Sequence, residues 1–251
     1  MRLVGTLLIL ACGVAVCFLA WGTRTMAASP EQYFPDQRVA ALARAAASGD
    51  VATVQRLAAE GVDVNSRGDQ GVTPLLWTVA QGSVEGADAL MQAGANPAQA
   101  DDRSRTPLYL AVELKDGRML QTLLRDGGSP NFQSADTGRS LLQEAVMSRR
   151  PDQIDALLKA GADINLPDRF GTTPLINAAA ISAYPIILQL LNAGADARAI
   201  DKGSKTLQQY LLFDQQRGGR TTESQAQLAA VFDWLRSHGV PMESLGKPML
   251  H

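Results

Sequence analysis

Asp168-Arg169-Phe170-Gly171-Thr172-Thr173-Pro174-Leu175-Ile176-Asn177-Ala178-Ala179, read with Leu190-Leu191-Asn192-Ala193-Gly194-Ala195-Asp196 behind it, decides the fold of this 251-residue chain. A threonine directly before a proline starts a helix. Its hydroxyl accepts an otherwise unused backbone N–H, and the proline has its φ preset and no N–H to leave unpaired. A glycine just past a Leu-Leu end closes a helix, because the closing residue needs a left-handed backbone that only glycine adopts without strain. The same signals recur along the chain. Thr73-Pro74-Leu75, Thr106-Pro107-Leu108, Ser140-Leu141-Leu142, Thr173-Pro174-Leu175 and Thr206-Leu207 are spaced by 33, 34, 33 and 33 residues. Gly61, Gly94, Gly127, Gly161, Gly194 and Gly239 form an independent ruler with spacings of 33, 33, 34, 33 and 45. Both rulers predict an all-α repeat stack in which each unit is a pair of helices.

The quoted stretch resembles the ankyrin family, whose repeat reads Asp-x-x-Gly-x-Thr-Pro-Leu-His-x-Ala-Ala, a second helix, then Leu-Leu-x-x-Gly-Ala-Asp-x-Asn. The resemblance covers residues 38–245. It implies an all-α solenoid of stacked helix pairs with protruding hairpin fingers, five to six repeats long. Residues 38–65 read as an N-terminal cap and 246–251 as a tail. The last unit carries a 12-residue insert near 214–224, whose Arg217-Gly218-Gly219-Arg220 centre reads as a mobile loop before an apolar-periodic helix over 226–237. The family's histidine after Thr-Pro-Leu is missing from every unit; Leu76, Tyr109, Gln143, Ile176 and Gln209 replace it. Apolar stacking is therefore expected there in place of inter-repeat hydrogen bonds, with Trp77 and Tyr109 as core side chains.

Residues 1–28 read as an export segment. Arg2 precedes an apolar run over 3–21, and Thr25 and Ala27 form a small-residue cleavage pattern. Two other readings stand beside a cleaved signal. The run nearly suffices for an uncleaved inner-membrane anchor, and Ile9-Leu10-Ala11-Cys12 resembles a lipoprotein box. All three place the folded part in an exported, periplasmic-type compartment, with any membrane attachment confined to this segment.

Composition narrows the chemistry. A formal net charge of −2 lacks the basic excess that nucleic-acid binding requires. Both cysteines, Cys12 and Cys17, lie in the N-terminal segment, so the remainder has no thiolate nucleophile and no cysteine ligand. The two histidines, His238 and His251, stand at a helix end and at the last position, with no partner at metal or triad spacing. No catalytic residue, cofactor or metal is expected, and an enzyme is disfavoured.

The expected function is protein binding by a monomer. The finger positions four, three and one residues before each cap are expected to be exposed, from Asp69, Gln70 and Val72 in the first finger to Lys202, Gly203 and Lys205 in the last. Basic side chains recur among them. Arg103, Arg105, Arg139, Arg169, Lys202 and Lys205 would align into a stripe, with Phe170 as an aromatic anchor, facing a partner with an acidic surface. The competing reading is a solvated surface in which Asp102 and Asp136 offset the stripe. The chain would serve as a scaffold or helper. Alternatively it would be an immunity protein that neutralises a secreted effector, for example one delivered by type VI secretion.

Overall fold

The computed structural model describes residues 29–217 and 221–241, and among these it contains twelve α-helices and no strand. The helices come in six pairs: α1 (Gln37–Ala47) with α2 (Val51–Ala59), α3 (Pro74–Gln81) with α4 (Val84–Gln92), and α5 (Pro107–Glu113) with α6 (Arg118–Arg125). The series continues with α7 (Leu141–Met147) and α8 (Pro151–Lys159), α9 (Pro174–Ala180) and α10 (Tyr184–Asn192), then α11 (Leu207–Arg217) and α12 (Thr222–Ser237). First helices stack on first helices from α1 to α11, and their buried faces join the second helices in one core from Phe34 to Val240.

Each start signal works as its chemistry dictates. Thr73, Thr106, Ser140, Thr173 and Thr206 accept the backbone N–H three residues on, at 3.1, 3.1, 3.2, 3.4 and 3.2 Å. The stop is equally local. Gly194 takes φ +95°, its N–H donates to the Leu191 carbonyl at 3.1 Å, and Ala195 N–H donates to Leu190 at 3.0 Å. That doubly bonded ending satisfies carbonyls the helix would otherwise leave unpaired.

Between pairs, side chains tie each unit to the next. Asn65 Oδ1 accepts the Asn96 N–H at 2.7 Å, and its amide donates to the Gly94 carbonyl at 3.0 Å. Asn131 and Asn165 repeat the arrangement with Asp163 and Asp196.

Three expectations change. The missing histidines do not leave the stack without polar ties. Gln143, fully buried, caps its own helix and donates to the Thr172 carbonyl and to Asn177 Oδ1, both at 2.8 Å. The Tyr109 hydroxyl donates to Glu144 in the next unit at 2.6 Å. An amide or phenol at the histidine position reaches the neighbouring repeat as an imidazole would. Leu76 and Ile176 fill the position by burial alone, and Gln209, exposed in the last unit, bonds only its own cap Thr206. The insert near 214–224 is not simply a loop, because α11 extends through residue 217 and α12 begins at Thr222. Its centre, residues 218–220, lies outside the described residues. Finally, Val72 is 1% exposed, and the position before the cap turns inward in every finger but the last, where Lys205 is exposed. Trp77 is buried, and its ring centre lies 5.2 Å from that of Tyr33.

Candidate functional site

The fingers are held together by their backbones. Asp102 N–H donates to the Gln70 carbonyl at 2.9 Å, Arg169 to Thr137 at 3.1 Å and Lys202 to Phe170 at 3.1 Å, each linking one finger to the one before. Each finger also folds on its own side chains. Asp101 and Asp168 accept two backbone N–H bonds apiece, from Arg103 and Arg105 and from Phe170 and Thr172, at 2.8–2.9 Å.

The seven residues expected to form the binding row divide by what holds them. Arg105 is half-buried, its Nε and Nη2 donating at 2.8 and 2.5 Å to Asp101, whose side chain is fully buried. Arg139 is half-buried too, paired with Glu144 at 3.2 Å. Neither these two nor Thr172 is a freely exposed finger position, since each stands just before a helix cap and turns toward the helices. Arg169 is exposed, yet it donates to the backbone carbonyls of Ala135 and Asp136 in the preceding finger. Lys202 does the same with the Arg169 carbonyl. Arg103 is exposed and reaches Gln70 at 3.3 Å, and Lys205 lies 5.6 Å from the Tyr210 ring centre. Phe170 is 65% exposed. Much of the basic row thus struts finger to finger, as does Arg67, which sequence reasoning passed over and which bonds Ala100 and Asp102.

One finger pair departs from the pattern. No backbone bond of the recurring kind joins the second finger (residues 101–105) to the third (134–139) among the described residues. The cause is visible in the spacing. Thirteen residues run from Gly127 to Ser140, where the other units have twelve between the same landmarks. The extra residue shifts the third finger out of register, and Ser134 Oγ with Thr137 Oγ1, 2.6 Å apart, replace the aspartate that organises its neighbours. A cleft of about 290 Å³ opens there, lined by Arg103, Arg105, Tyr109, Glu113, Arg139 and Glu144 among others. Larger hollows lie by Leu228 and Phe232 at the C-terminal end and by Leu124 and Ala156 between second helices, away from the fingers.

Within the cleft the carboxylates differ. Glu144 Oε2 accepts from both the Tyr109 hydroxyl and Arg139 Nη1. Burial, and then the charge and hydrogen bond of Glu144, hold the Tyr109 hydroxyl well above its ordinary pKa. The Glu113 carboxyl has no such donor among the described residues. Burial and then the negative field of Glu144 raise its pKa, and the attraction of Arg105 offsets this only in part.

A family profile of ankyrin repeats, three copies long, matches residues 42–134 and again 115–201. The chain belongs to the ankyrin-repeat family. Among curated relatives of this ankyrin-repeat chain, Protein PhlB of Serratia liquefaciens is 39% identical over 142 residues, covering 57% of this chain and 62% of that protein. Neurogenic locus notch homolog protein 1 of Rattus norvegicus is 31% identical over 186 residues, 68% of this chain but 7% of that protein. The chain thus spans less than two thirds of either relative. Solved structures share the fold. EF0377, an ankyrin repeat protein, has a TM-score of 0.65 at 23% identity, covering 78% of this chain and 97% of that one. A chain from the complex of the Bd0816 predatory endopeptidase of Bdellovibrio bacteriovorus with immunity protein Bd3460 has a TM-score of 0.60 at 22% identity, covering 76% and 97%. Ankyrin stacks are protein-interaction scaffolds, and the fingers and first helices of this chain form its candidate binding face.

That face has a distinct composition. Seven residues after each cap stand Ala80, Glu113, Met147, Ala180 and Phe213, all half-buried or exposed. The described residues include four exposed large apolar side chains: Met147, Phe170, Ile200 and Phe213. Two sit on first helices, two on finger segments, and none on a second helix. The signal for Phe170 was readable in the sequence. The signal for the cleft, the one 34-residue interval, was visible but had no consequence until the register shift was seen.

Proposed function

We propose that this chain is a non-catalytic binding protein of an exported compartment, a scaffold or helper that holds a partner protein on its finger face. The observation that carries the reading is that, among the described residues, the four exposed large apolar side chains all sit on fingers or first helices and none on a second helix. Phe170 at a finger tip is the aromatic anchor, and the tips of Arg103, Lys202 and Lys205 supply positive charge that steers an acidic region of the partner toward the rim. The export part rests on residues 1–28, which lie outside the described residues. A photo-crosslinking residue at position 147 or 170 should capture a partner that the same group at Gln55 or Gln121, exposed on second helices, does not. Capture from all four positions alike, or from none, refutes the face. A tagged full-length chain should be found outside the cytoplasm, and its recovery from the cytosol refutes the location.

The structural likeness to a chain of an endopeptidase–immunity complex supports a second reading, in which the partner is a toxic effector and binding neutralises it. Neighbouring genes discriminate the two: an adjacent secreted lipase or nuclease favours immunity, an adjacent periplasmic enzyme favours a helper.

A further inference from the structure

We infer that the cleft between the second and third fingers is the seat for a basic side chain, lysine or arginine, presented by the partner protein. This rests on the partner-binding reading above and adds the chemistry of one contact.

The slipped register removes the backbone bond that closes every later finger pair, and about 290 Å³ opens at the corner of fingers and first helices. That volume lies at the lower limit for small-molecule sites, which run from about 300 to 1,000 Å³, and suits a single inserted side chain.

Charge then selects the occupant. Three arginines line the cleft, and the first impression is of an anion site. Two of them are already matched: Arg105 forks onto the buried Asp101, and Arg139 lies against Glu144, which also accepts from Tyr109. Arg103 reaches across to Gln70. Asp136 binds the Thr137 N–H. What is left is Glu113, a half-buried carboxylate that accepts no side-chain hydrogen bond among the described residues, with Glu144 as a like-charged neighbour that the attraction of Arg105 offsets only in part. A carboxylate withdrawn from water without a partner is costly, and the cost is removed by a cation with N–H groups, not by another anion. An incoming acid would meet both glutamates. An incoming lysine or arginine would lay its methylene stem along Leu110 and the Tyr109 ring, both in the wall, with its charged end at Glu113.

The test uses the full chain and four blocked tripeptides, Ala-X-Ala, with X lysine, arginine, norleucine or glutamate. Titration followed by amide NMR shifts should give saturable changes confined to residues 103–113 and 134–144 with the two basic peptides, at dissociation constants of about 1–10 mM. Norleucine keeps the stem without the charge and should bind at least about fivefold more weakly. Glu113→Gln should remove the preference for the basic peptides while leaving the spectrum otherwise folded. Equal response to norleucine or glutamate, shifts scattered over the surface, no response, or an unchanged preference in Glu113→Gln would each overturn the inference. Once a partner is in hand, Glu113→Lys should weaken its binding tenfold or more. A partner that binds this variant as it binds wild type refutes the cleft and leaves the interaction role standing. A finger face that captures no partner refutes the interaction role, while the peptide titration still decides the cleft.

Discussion

Gly86 offers a case in which packing and helix propensity predict opposite signs. It occupies the third position of α4, and exchanging a helical glycine for alanine ordinarily stabilises by about 1 kcal/mol. Here a Cβ would stand 1.8 Å from the Ala46 carbonyl oxygen and 2.5 Å from the Ala46 carbonyl carbon. Ordinary C–H···O contacts lie near 3.3–3.6 Å, so Gly86→Ala must push the end of α1 and α4 apart by about 1.5 Å. The obstacle is backbone, and no rotamer change relieves it. Overpacking of this kind costs about 1–3 kcal/mol or somewhat more, which outweighs the propensity gain. The net expectation is destabilisation of about 1–2 kcal/mol, or roughly 2–8 °C in Tm for a domain of this size. Urea melts by circular dichroism measure it. Amide exchange should show lost protection concentrated in α1 and α2, because a repeat array loosens first where a neighbour interface is damaged. A variant as stable as wild type, or more stable, would refute the close packing of the first two units.

Gly194→Val should destabilise by about 1–2 kcal/mol through left-handed strain alone, since nothing lies within 4 Å of the new Cβ; an unchanged denaturation midpoint would contradict the helix ending. Asp101→Ala should cost about 2–3 kcal/mol by stripping Arg105 and two finger N–H groups of their acceptor, measured as a shift in urea midpoint. Arg139→Glu should destabilise by about 1 kcal/mol or more, because it puts a third carboxylate beside Glu144 and Glu113, whereas Lys205→Glu should stay within about 0.5 kcal/mol. Equal effects of the two would show that Arg139 is a plain surface residue. Glu113 binds its proton more tightly folded than unfolded, so its ionisation weakens the fold. Glu113→Gln should therefore stabilise by up to about 0.5 kcal/mol above the raised pKa, a small figure because solvent screens the partly exposed group, and the gain should fade as the pH falls from the raised pKa to the ordinary glutamate value. A gain that grows on acidification would show that ionised Glu113 stabilises the fold.

The sequence by itself determined the repeat, its all-α class and the ends of most helices. Those features are local: a Thr-Pro start needs only the hydroxyl and the N–H three residues on, and a Gly stop needs only its own φ. It also identified Phe170 as exposed, because a large aromatic at a finger tip has nothing of its own unit to lie against. What only the tertiary structure decided is where side chains reach between units 33 residues apart. Gln143 reads as one more departure from the family's histidine until Thr172 and Asn177 of the next repeat are placed beside it. Arg105 and Arg139 read as surface charges until Asp101 and Glu144 are seen beneath them. Glu113 carried no signal at all, since its significance is the absence of a donor in a cleft made by one extra residue in a different unit. Local backbone chemistry is written in adjacent letters; charge pairing across a stack depends on distances that exist only once the repeats have docked.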